Sequence, residues 1–199
     1  SESNTQPGMP KYKDLNGDGV IDTNDRTMIG RGLPIHTGGF TNNFEYKGFD
    51  QSVFFQWSYG NDVLNANRLF FDSGFQKKRE LNQYASYTDR WTPENPNSNI
   101  PAATNSSSNL VISTRVLEDA SFLRLKTVTL GYTVPKTFLK KYKIDNARLY
   151  VAAQNLWTIT GYSGYDPEVS IRSGGLTPGL DFSSYPRALS VSFGINLGF

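Results

Sequence analysis

The stretch LSVSFGINLGF (residues 189–199) alternates without exception between apolar and small or polar side chains. Because successive side chains of a strand point to opposite faces, this period of two predicts a β-strand with one apolar face and one small, polar face. At about 3.3 Å per residue and a tilt of about 45°, the strand would rise about 25 Å, the height of the apolar band of a membrane barrel. The pattern fits either a soluble β-sandwich or the wall of an outer-membrane barrel.

The composition favours β-structure with polar loops. Only 37% of the 199 residues are hydrophobic, yet the chain holds 13 Phe and 11 Tyr, a mixture more typical of strands than of helix bundles. A net charge of +2 without a basic cluster gives no support for a nucleic-acid partner. The absence of cysteine excludes disulfides and thiolate metal sites. No apolar run approaches the roughly 20 residues of a membrane helix, so a membrane-spanning structure would have to be a barrel.

An acidic loop near the start of the sequence has the spacing of a calcium-binding loop. Residues 14–25, DLNGDGVIDTND, match the template D-x-[DN]-x-[DN]-G, with Gly19 at the sharp turn. The predicted calcium ligands are Asp14, Asn16, Asp18, the carbonyl of Val20, Asp22 and Asp25. Asp25 stands where Glu is usual and no flanking helices are evident, so we predict an isolated calcium loop rather than a paired EF-hand. The alternative is an Asx-rich hairpin turn without a metal.

Alternation of the same kind predicts five strands with connections of two lengths. The predicted strands are residues 37–46, 49–59, 121–134, 147–160 and 188–199. In the third strand the phase changes near Lys126 and Thr127, which indicates either a β-bulge or a first half that rises above a membrane. The first connection is the tight turn Lys47-Gly48 and the third, residues 135–146, is also short. The connections 60–117 and 161–187 are long.

The alternation of short and long connections favours one architecture. Antiparallel strands place successive connections at opposite ends, so one end carries short turns and the other carries long loops. This sorting favours an all-β, antiparallel outer-membrane barrel with short periplasmic turns and long extracellular loops over a sandwich. The connection 60–117 is predicted to be irregular, apart from an amphipathic patch at 77–91 where Leu81, Tyr84 and Tyr87 would suit a short helix.

Five segments of the sequence resemble one family of outer-membrane proteins. They are YKDLNGDGVIDTNDRTMIG, NNFEYKGFDQSVFFQWSYGND, LEDASFLRLKTVTLGYTVP, ARLYVAAQNLWTITGYSGYDPEV and YPRALSVSFGINLGF. In this order they are similar to the carboxy-terminal end of the SusC/RagA-type TonB-linked transporters of Bacteroidetes.

The resemblance implies the carboxy-terminal part of a barrel of about 22 strands, whose plug and remaining strands come from other residues. It also implies the outer membrane of a Gram-negative cell, a SusD-like lipoprotein over the extracellular mouth, energy from the TonB system, and uptake of oligosaccharides or peptides. Residues 1–36, with the calcium-type loop at 14–25, would lie on the extracellular side. Phe199 would be the carboxy-terminal signal for membrane insertion.

An enzymatic function has little support in the sequence. His36 is the single histidine, and a loop or lumen position is expected for it rather than a catalytic role. The acidic pairs Glu118/Asp119 and Asp166/Glu168 are expected to be solvated. Aromatic residues near the predicted strand ends are expected in the girdles at the membrane interfaces, and these are Trp57, Tyr59, Tyr132, Trp157 and Tyr162. The competing function is a soluble, calcium-stabilised carbohydrate-binding β-domain.

Overall fold

The chain folds mainly into strands, and its helices are short. The computed structural model describes residues 6–75, 82–105, 107–171 and 178–199. In chain order the elements are β1 (His36–Tyr46), β2 (Phe49–Tyr59), β3 (Asp62–Asn65), α1 (Ala66–Phe71), β4 (Leu117–Asp119), β5 (Phe122–Thr133), α2 (Lys136–Leu139), β6 (Asn146–Thr160), β7 (Leu180–Asp181) and β8 (Ser190–Gly198). Single-turn 3-10 helices lie at Thr23–Asp25, Ala85–Asp89, Ser107–Leu110 and Lys140–Tyr142.

The five long strands form one antiparallel sheet in the order β1-β2-β5-β6-β8. Each strand pairs with the next long strand along the chain, and their lengths run from 9 residues in β8 to 15 in β6. The prediction of an all-β, antiparallel architecture is confirmed, and the observed bounds lie within two residues of the predicted ones. No described helix combines the length and the apolar character that crossing a membrane requires.

The register aligns mostly apolar residues across one face of the sheet, where Asn42 and Gln51 are the polar exceptions. Phe44 of β1, Leu130 of β5 and Phe193 of β8 lie in one cross-strand row. The adjacent row, on the opposite face, contains Asn43, Thr129 and Ser192. Because the side-chain period of a strand is two, this register gives the whole sheet one apolar face and one polar face.

A β-bulge at Lys126 keeps the faces of β5 consistent. Leu125 pairs with Phe55 of β2 and Thr127 pairs with Phe54, so Lys126 has no partner in the β2 ladder. The pairing with β6 shifts at the same place. In a regular strand that included Lys126, Leu125 and Val128 would be three positions apart and would lie on opposite faces, whereas the bulge puts both on the apolar face. Of the two sequence-based interpretations, the bulge is confirmed.

Two adjacent glycines in β1 make room for large rings on β2. A side chain at Gly38 would overlap the indole of Trp57, and one at Gly39 would overlap the ring of Phe54. Gly38 and Trp57 are cross-strand partners on the apolar face. Phe54 is the one large apolar residue of β2 on the polar face, and the bare backbone of Gly39 gives its ring a surface to cover.

Contact clustering divides the chain into two compact units. Unit 1 comprises Ser1–Gly32, Val63–Glu118 and Ser170–Ser184, and unit 2 comprises Leu33–Asp62, Asp119–Val169 and Tyr185–Phe199. The large sheet belongs to unit 2.

Unit 1 contains packed structure where the sequence predicted an irregular connection. Its small sheet has the order β4-β3-β7, and β3 pairs with β7 in parallel. Val63 and Val116 are 1% and 0% exposed, and the buried amide of Asn109 donates to the carbonyl of Ser73 at 2.7 Å. The prediction of irregular structure is therefore wrong for β3 and α1. Of the patch at 77–91, residues 77–81 lie outside the described residues, and Tyr84 immediately precedes the 3-10 helix Ala85–Asp89.

Candidate functional site

One face of the large sheet is apolar and exposed to its surroundings. Phe44, Leu130 and Phe193, in the row described above, are 58%, 47% and 83% exposed. The other exposed large apolar residues of this face are Phe40, Tyr46, Phe49, Tyr59, Leu123, Leu149, Trp157, Ile159, Val191, Ile195 and Leu197. Soluble monomers rarely expose so continuous an apolar surface, so this face is suited to an apolar environment.

The polar face carries a buried ion-pair cluster. Arg124 of β5 is 2% exposed, and its guanidinium contacts Asp166 at 2.6 Å and Glu168 at 2.9 Å. Both carboxylates belong to the connection between β6 and β8, more than forty residues along the chain from Arg124. Charges of this kind remain buried only when they are paired and hydrogen-bonded. The cluster therefore attaches the connection firmly to the polar face.

Two further cations complete the cluster around Glu168. Its Oε2 atom lies 3.3 Å from Nζ of Lys126 and 3.1 Å from Nε of Arg187. Lys126 is the bulge residue, and the bulge directs its side chain to the same face as Arg124. β-Bulges commonly redirect a side chain in this way. The bulge in β5 thus keeps the apolar and polar faces of the strand consistent and also brings Lys126 into the ion-pair cluster.

Asp166 is held in its ionised form by the bonds that it accepts. Burial alone would raise the pKa of its carboxyl group, but the hydrogen bonds outweigh burial and lower the pKa below its ordinary value. These bonds come from Arg124 and from the backbone N–H groups of Glu168 and Arg187, at 2.6, 2.9 and 3.0 Å. The expectation that Asp166 is a solvated loop residue is wrong, because the residue is only 3% exposed.

A second ion pair crosses the polar face near the short turns. Nε of Arg148 in β6 donates to Oδ1 of Asp50 in β2 at 2.9 Å. The strand β5 runs between these two residues, and a side chain at Gly131 would overlap both of them. Gly131 is thus what allows the pair to bridge three strands. Both side chains are about a quarter exposed or more, so this pair is more strongly screened by solvent than the Arg124 cluster.

Aromatic residues lie at both ends of the apolar face. At the long-loop end, Trp57 Nε1 donates to Nδ1 of His36 at 3.2 Å, and the His36 ring stacks on Tyr59 with centroids 5.2 Å apart. At the short-turn end, the rings of Phe49 and Tyr132 are 4.6 Å apart. His36 therefore lies on the apolar face at the first position of β1, not in a loop or lumen. Tyr162 departs from the predicted girdle because it is only 5% exposed.

The predicted calcium loop is folded around its own acidic side chains. Asp14 accepts the backbone N–H groups of Gly17 and Gly19 at 2.6 and 2.8 Å. Asp25 accepts those of Leu15 and Asp22 at 2.7 and 2.8 Å. The Asp22 backbone bond, followed by that of Leu15, lowers the pKa of the Asp25 carboxyl group. The bond from the Leu15 N–H to Asp25 thus joins the two ends of the loop.

The remaining predicted ligands make local hydrogen bonds within the loop. The Asn16 amide donates to Asp18 at 2.9 Å, and Asp22 caps the 3-10 helix Thr23–Asp25 through the Asn24 N–H at 2.7 Å. Val20 donates its N–H to Asp18 at 2.8 Å. Within the described ranges, no group of three or more His, Cys, Asp or Glu side chains has an arrangement that could hold a metal ion. Oxygen donors of this kind suit Ca²⁺ chemically, and calcium binding stays a prediction.

Known proteins of similar sequence are TonB-dependent receptors. No family model matches the chain. The sequence is 38% identical over 200 residues to the TonB-dependent receptor P3 of Formosa agariphila, covering 98% of the chain and 19% of the relative. It is 29% identical to the TonB-dependent receptor SusC of Bacteroides thetaiotaomicron, covering 100% of the chain and 18% of the relative.

A solved structure contains a segment with a similar fold. The RagAB peptide importer in its open-open state matches with a TM-score of 0.77 and 30% sequence identity, covering 96% of this chain and 20% of that one. The chain belongs to the SusC/RagA-type TonB-dependent receptors. It spans about a fifth of the length of these SusC/RagA-type relatives. Proteins of this family are receptors and transporters rather than enzymes, as the sequence predicted.

The ion-pair cluster is what sequence reasoning missed. The sequence showed each part of the cluster separately: basic residues on one side of a predicted strand, and an acidic pair in a connection. Nothing in their spacing joins Arg124 to Asp166 or Glu168. The phase change at Lys126 was the one available signal, since a bulge on the polar face indicates that a side chain is being redirected.

Proposed function

We propose that this chain forms part of the wall of a TonB-dependent transporter in the Gram-negative outer membrane. The observation that carries the proposal is the two-faced sheet, whose exposed apolar face would meet lipid and whose polar face would line the lumen. Its long strands, from 9 to 15 residues, have the length that a tilted membrane strand needs. The remaining strands, the plug and the contact with TonB would come from other segments of the transporter.

The connections of the sheet support an orientation. β1 and β2 are joined by Lys47 and Gly48 alone, and β5 and β6 by a short segment that contains α2. The connections from β2 to β5 and from β6 to β8 are much longer and lie at the opposite end. By the usual arrangement of such barrels, the short turns would be periplasmic and the long connections extracellular.

The proposed cargo is an oligosaccharide or a peptide, taken up together with a SusD-like surface lipoprotein. The relative of solved structure is named a peptide importer, which supports the peptide class. The network of paired charges on the polar face would suit a water-filled lumen that hydrophilic cargo can cross. The soluble carbohydrate-binding alternative is not favoured by the relatives, which are TonB-dependent receptors.

The test combines localisation with uptake. We expect the full transporter to be found in the outer-membrane fraction, to need detergent for extraction, and to change its gel migration on heating. Cells should deplete peptides or oligosaccharides from the medium only when both this transporter and TonB are present. A monomer that is stable in buffer without detergent, or uptake that does not depend on TonB, would contradict the proposal.

We further propose that residues 14–25 bind Ca²⁺ on the extracellular side. Asp14, Asn16, Asp18, the Val20 carbonyl, Asp22 and Asp25 would supply the oxygen ligands. Calorimetry on the full transporter should detect Ca²⁺ binding that Asp18→Ala abolishes. Asn24→Ala is the matched control, because Asn24 belongs to the same loop but occupies no ligand position. Equal calcium binding by Asp18→Ala and the wild type would refute the site.

A further inference from the structure

Two tyrosines on the connection between β6 and β8 are almost fully exposed. Tyr165 is 82% exposed and Tyr185 is 88% exposed. Large aromatic side chains usually bury much of their surface, so two rings this exposed on one connection need an explanation.

The backbone beside both tyrosines is held in place by the ion-pair cluster. Tyr165 directly precedes Asp166, whose carboxylate is buried against Arg124. Tyr185 lies two residues before Arg187, whose backbone N–H donates to Asp166 at 3.0 Å and whose Nε contacts Glu168 at 3.1 Å. The Asn155 amide also donates to the carbonyl of Ala188 at 2.9 Å. The rings are therefore exposed on anchored segments rather than on free loop tips.

The position of the anchor fixes the side of the sheet on which these segments lie. Arg124 and Lys126 present their charged groups on the polar face, so the segments that they bind lie over that face. Asp166 is bound to the sheet through its side chain, and the ring of the neighbouring Tyr165 is exposed to the space on that side. Under the proposed function, on which this step rests, that space is the lumen of the transporter.

We propose that Tyr165 and Tyr185 are cargo-contacting residues of the transport path. A tyrosine ring has a negative face, which attracts the positively polarised C–H groups of a flat, uncharged ring. The ligand chemistry is therefore a ring face, which a pyranose of an oligosaccharide or an aromatic or proline side chain of a peptide can supply. Arg124, Asp166 and Glu168 act as positioning residues that present the two tyrosines.

The location is tested by cysteine labelling in intact cells. This chain has no cysteine of its own, so Tyr165→Cys and Tyr185→Cys introduce single reporters into it within the full transporter. Both should react with a maleimide coupled to a polyethylene glycol chain that is too large to pass through outer-membrane porins. Tyr142→Cys is the matched control, because Tyr142 is 68% exposed but lies in the short connection from β5 to β6. It should react only after the outer membrane is broken. Failure of Tyr165→Cys and Tyr185→Cys to react in intact cells would overturn the inference.

The role in cargo contact is tested by uptake. The probes are a tryptic digest of casein and a panel of partial polysaccharide hydrolysates, and depletion from the medium is measured by mass spectrometry with and without TonB. Removing a ring with Tyr165→Ala or Tyr185→Ala should weaken uptake at limiting concentration by about two- to tenfold, since a ring contact is worth roughly 0.5–1.5 kcal/mol. Tyr→Phe at either position should retain uptake, and Tyr142→Ala should have no effect.

The outcomes separate the inference from the proposed function. TonB-dependent uptake that both alanine variants leave unchanged would overturn the inference and leave the transporter function standing. If the wild type takes up neither probe in a TonB-dependent way, both the proposed function and the inference are contradicted. Loss confined to the peptide digest or to the hydrolysates would support the inference and identify which cargo supplies the ring.

Discussion

Arg124 is the residue on which the attachment of the last long connection depends. It is buried with two carboxylates, and its ring neighbour Phe122 lies 5.4 Å from the guanidinium. A buried ion pair contributes little net stability compared with apolar residues, but breaking one leaves a buried charge without its partner. The structural role of Arg124 is therefore best measured by removing it alone.

We expect Arg124→Met to destabilise the protein by about 3–5 kcal/mol, because Asp166 and Glu168 would lose their buried partner. The urea midpoint of the full transporter in detergent measures this loss. Arg148→Met is the matched control, since the same substitution breaks the more exposed pair with Asp50 and should cost clearly less. Equal losses for the two variants would show that burial of the cluster has no energetic consequence.

The ionisation of Asp166 predicts a pH dependence of stability. Its pKa is lowered by folding, so its contribution is fully present above the unfolded pKa of about 3.9 and is lost as the pH falls through the lower folded value. The difference in stability between the wild type and Asp166→Asn should be constant from pH 7 to about pH 5 and should shrink below pH 4. Measurement of both urea midpoints from pH 7 to pH 2.5 tests this, and a difference that grows on acidification would contradict it.

The strand β5 shows how one extra residue can preserve the faces of an element. Lys126 sits between Leu125 and Thr127 without a partner in β2, while the residues on either side keep their apolar and polar faces. The bulge residue can be removed without turning over either half of the strand, because Leu125 and Thr127 would then follow each other in simple alternation.

Deletion of Lys126 should therefore be tolerated, whereas deletion of Thr129 should not. Thr129 lies in the regular part of β5, opposite Ser52 and Ala152, so its loss would move one half of the strand to the wrong face. The measurements are the abundance of the transporter in the outer membrane and its heat-dependent migration on gels. If deletion of Lys126 abolishes assembly as fully as deletion of Thr129, the bulge is required for the sheet itself.

The long strands were predictable from the sequence, and the small unit was not, for a physical reason. A strand with one apolar and one polar face has a period of two, and residues 189–199 show it without exception. In unit 1, β3 has four residues, and buried polar groups such as Asn65, Asn109 and Asp181 take part in the core. Short elements with buried amides leave no periodic pattern to detect, and contacts such as Arg124 to Asp166 depend on the folded register.

At the scale of the whole molecule, the decisive property is that the two faces of the large sheet differ in chemistry. The apolar face includes Leu130 at 47% exposure, while the adjacent residue Thr129 belongs to the polar face. The proposed function places lipid on the first side and water on the second. These neighbouring positions in β5 should therefore respond differently to the same charge.

Leu130→Arg should impair assembly of the transporter, because an arginine that faces lipid is unfavourable, by about 2–4 kcal/mol at the bilayer midplane and by less towards the interfaces. Thr129→Arg is the matched control on the polar face and should assemble at close to the wild-type level. The yield of heat-modifiable protein in the outer membrane reports both. An assembled Leu130→Arg variant alongside a lost Thr129→Arg variant would mean that the faces are assigned the wrong way round.

The attachment of the β6–β8 connection to the bulged strand has a consequence for exchanging parts between related transporters. A donor connection that lacks the two carboxylates would leave Arg124 and Lys126 unneutralised on the recipient, and a recipient with a regular β5 would lack the contact between Lys126 and Glu168. The β6–β8 connection and strand β5 should therefore be transferred together, although 42 residues separate Arg124 from Asp166 in the sequence. Chimeras cut between them should fail, and chimeras that carry both across should survive.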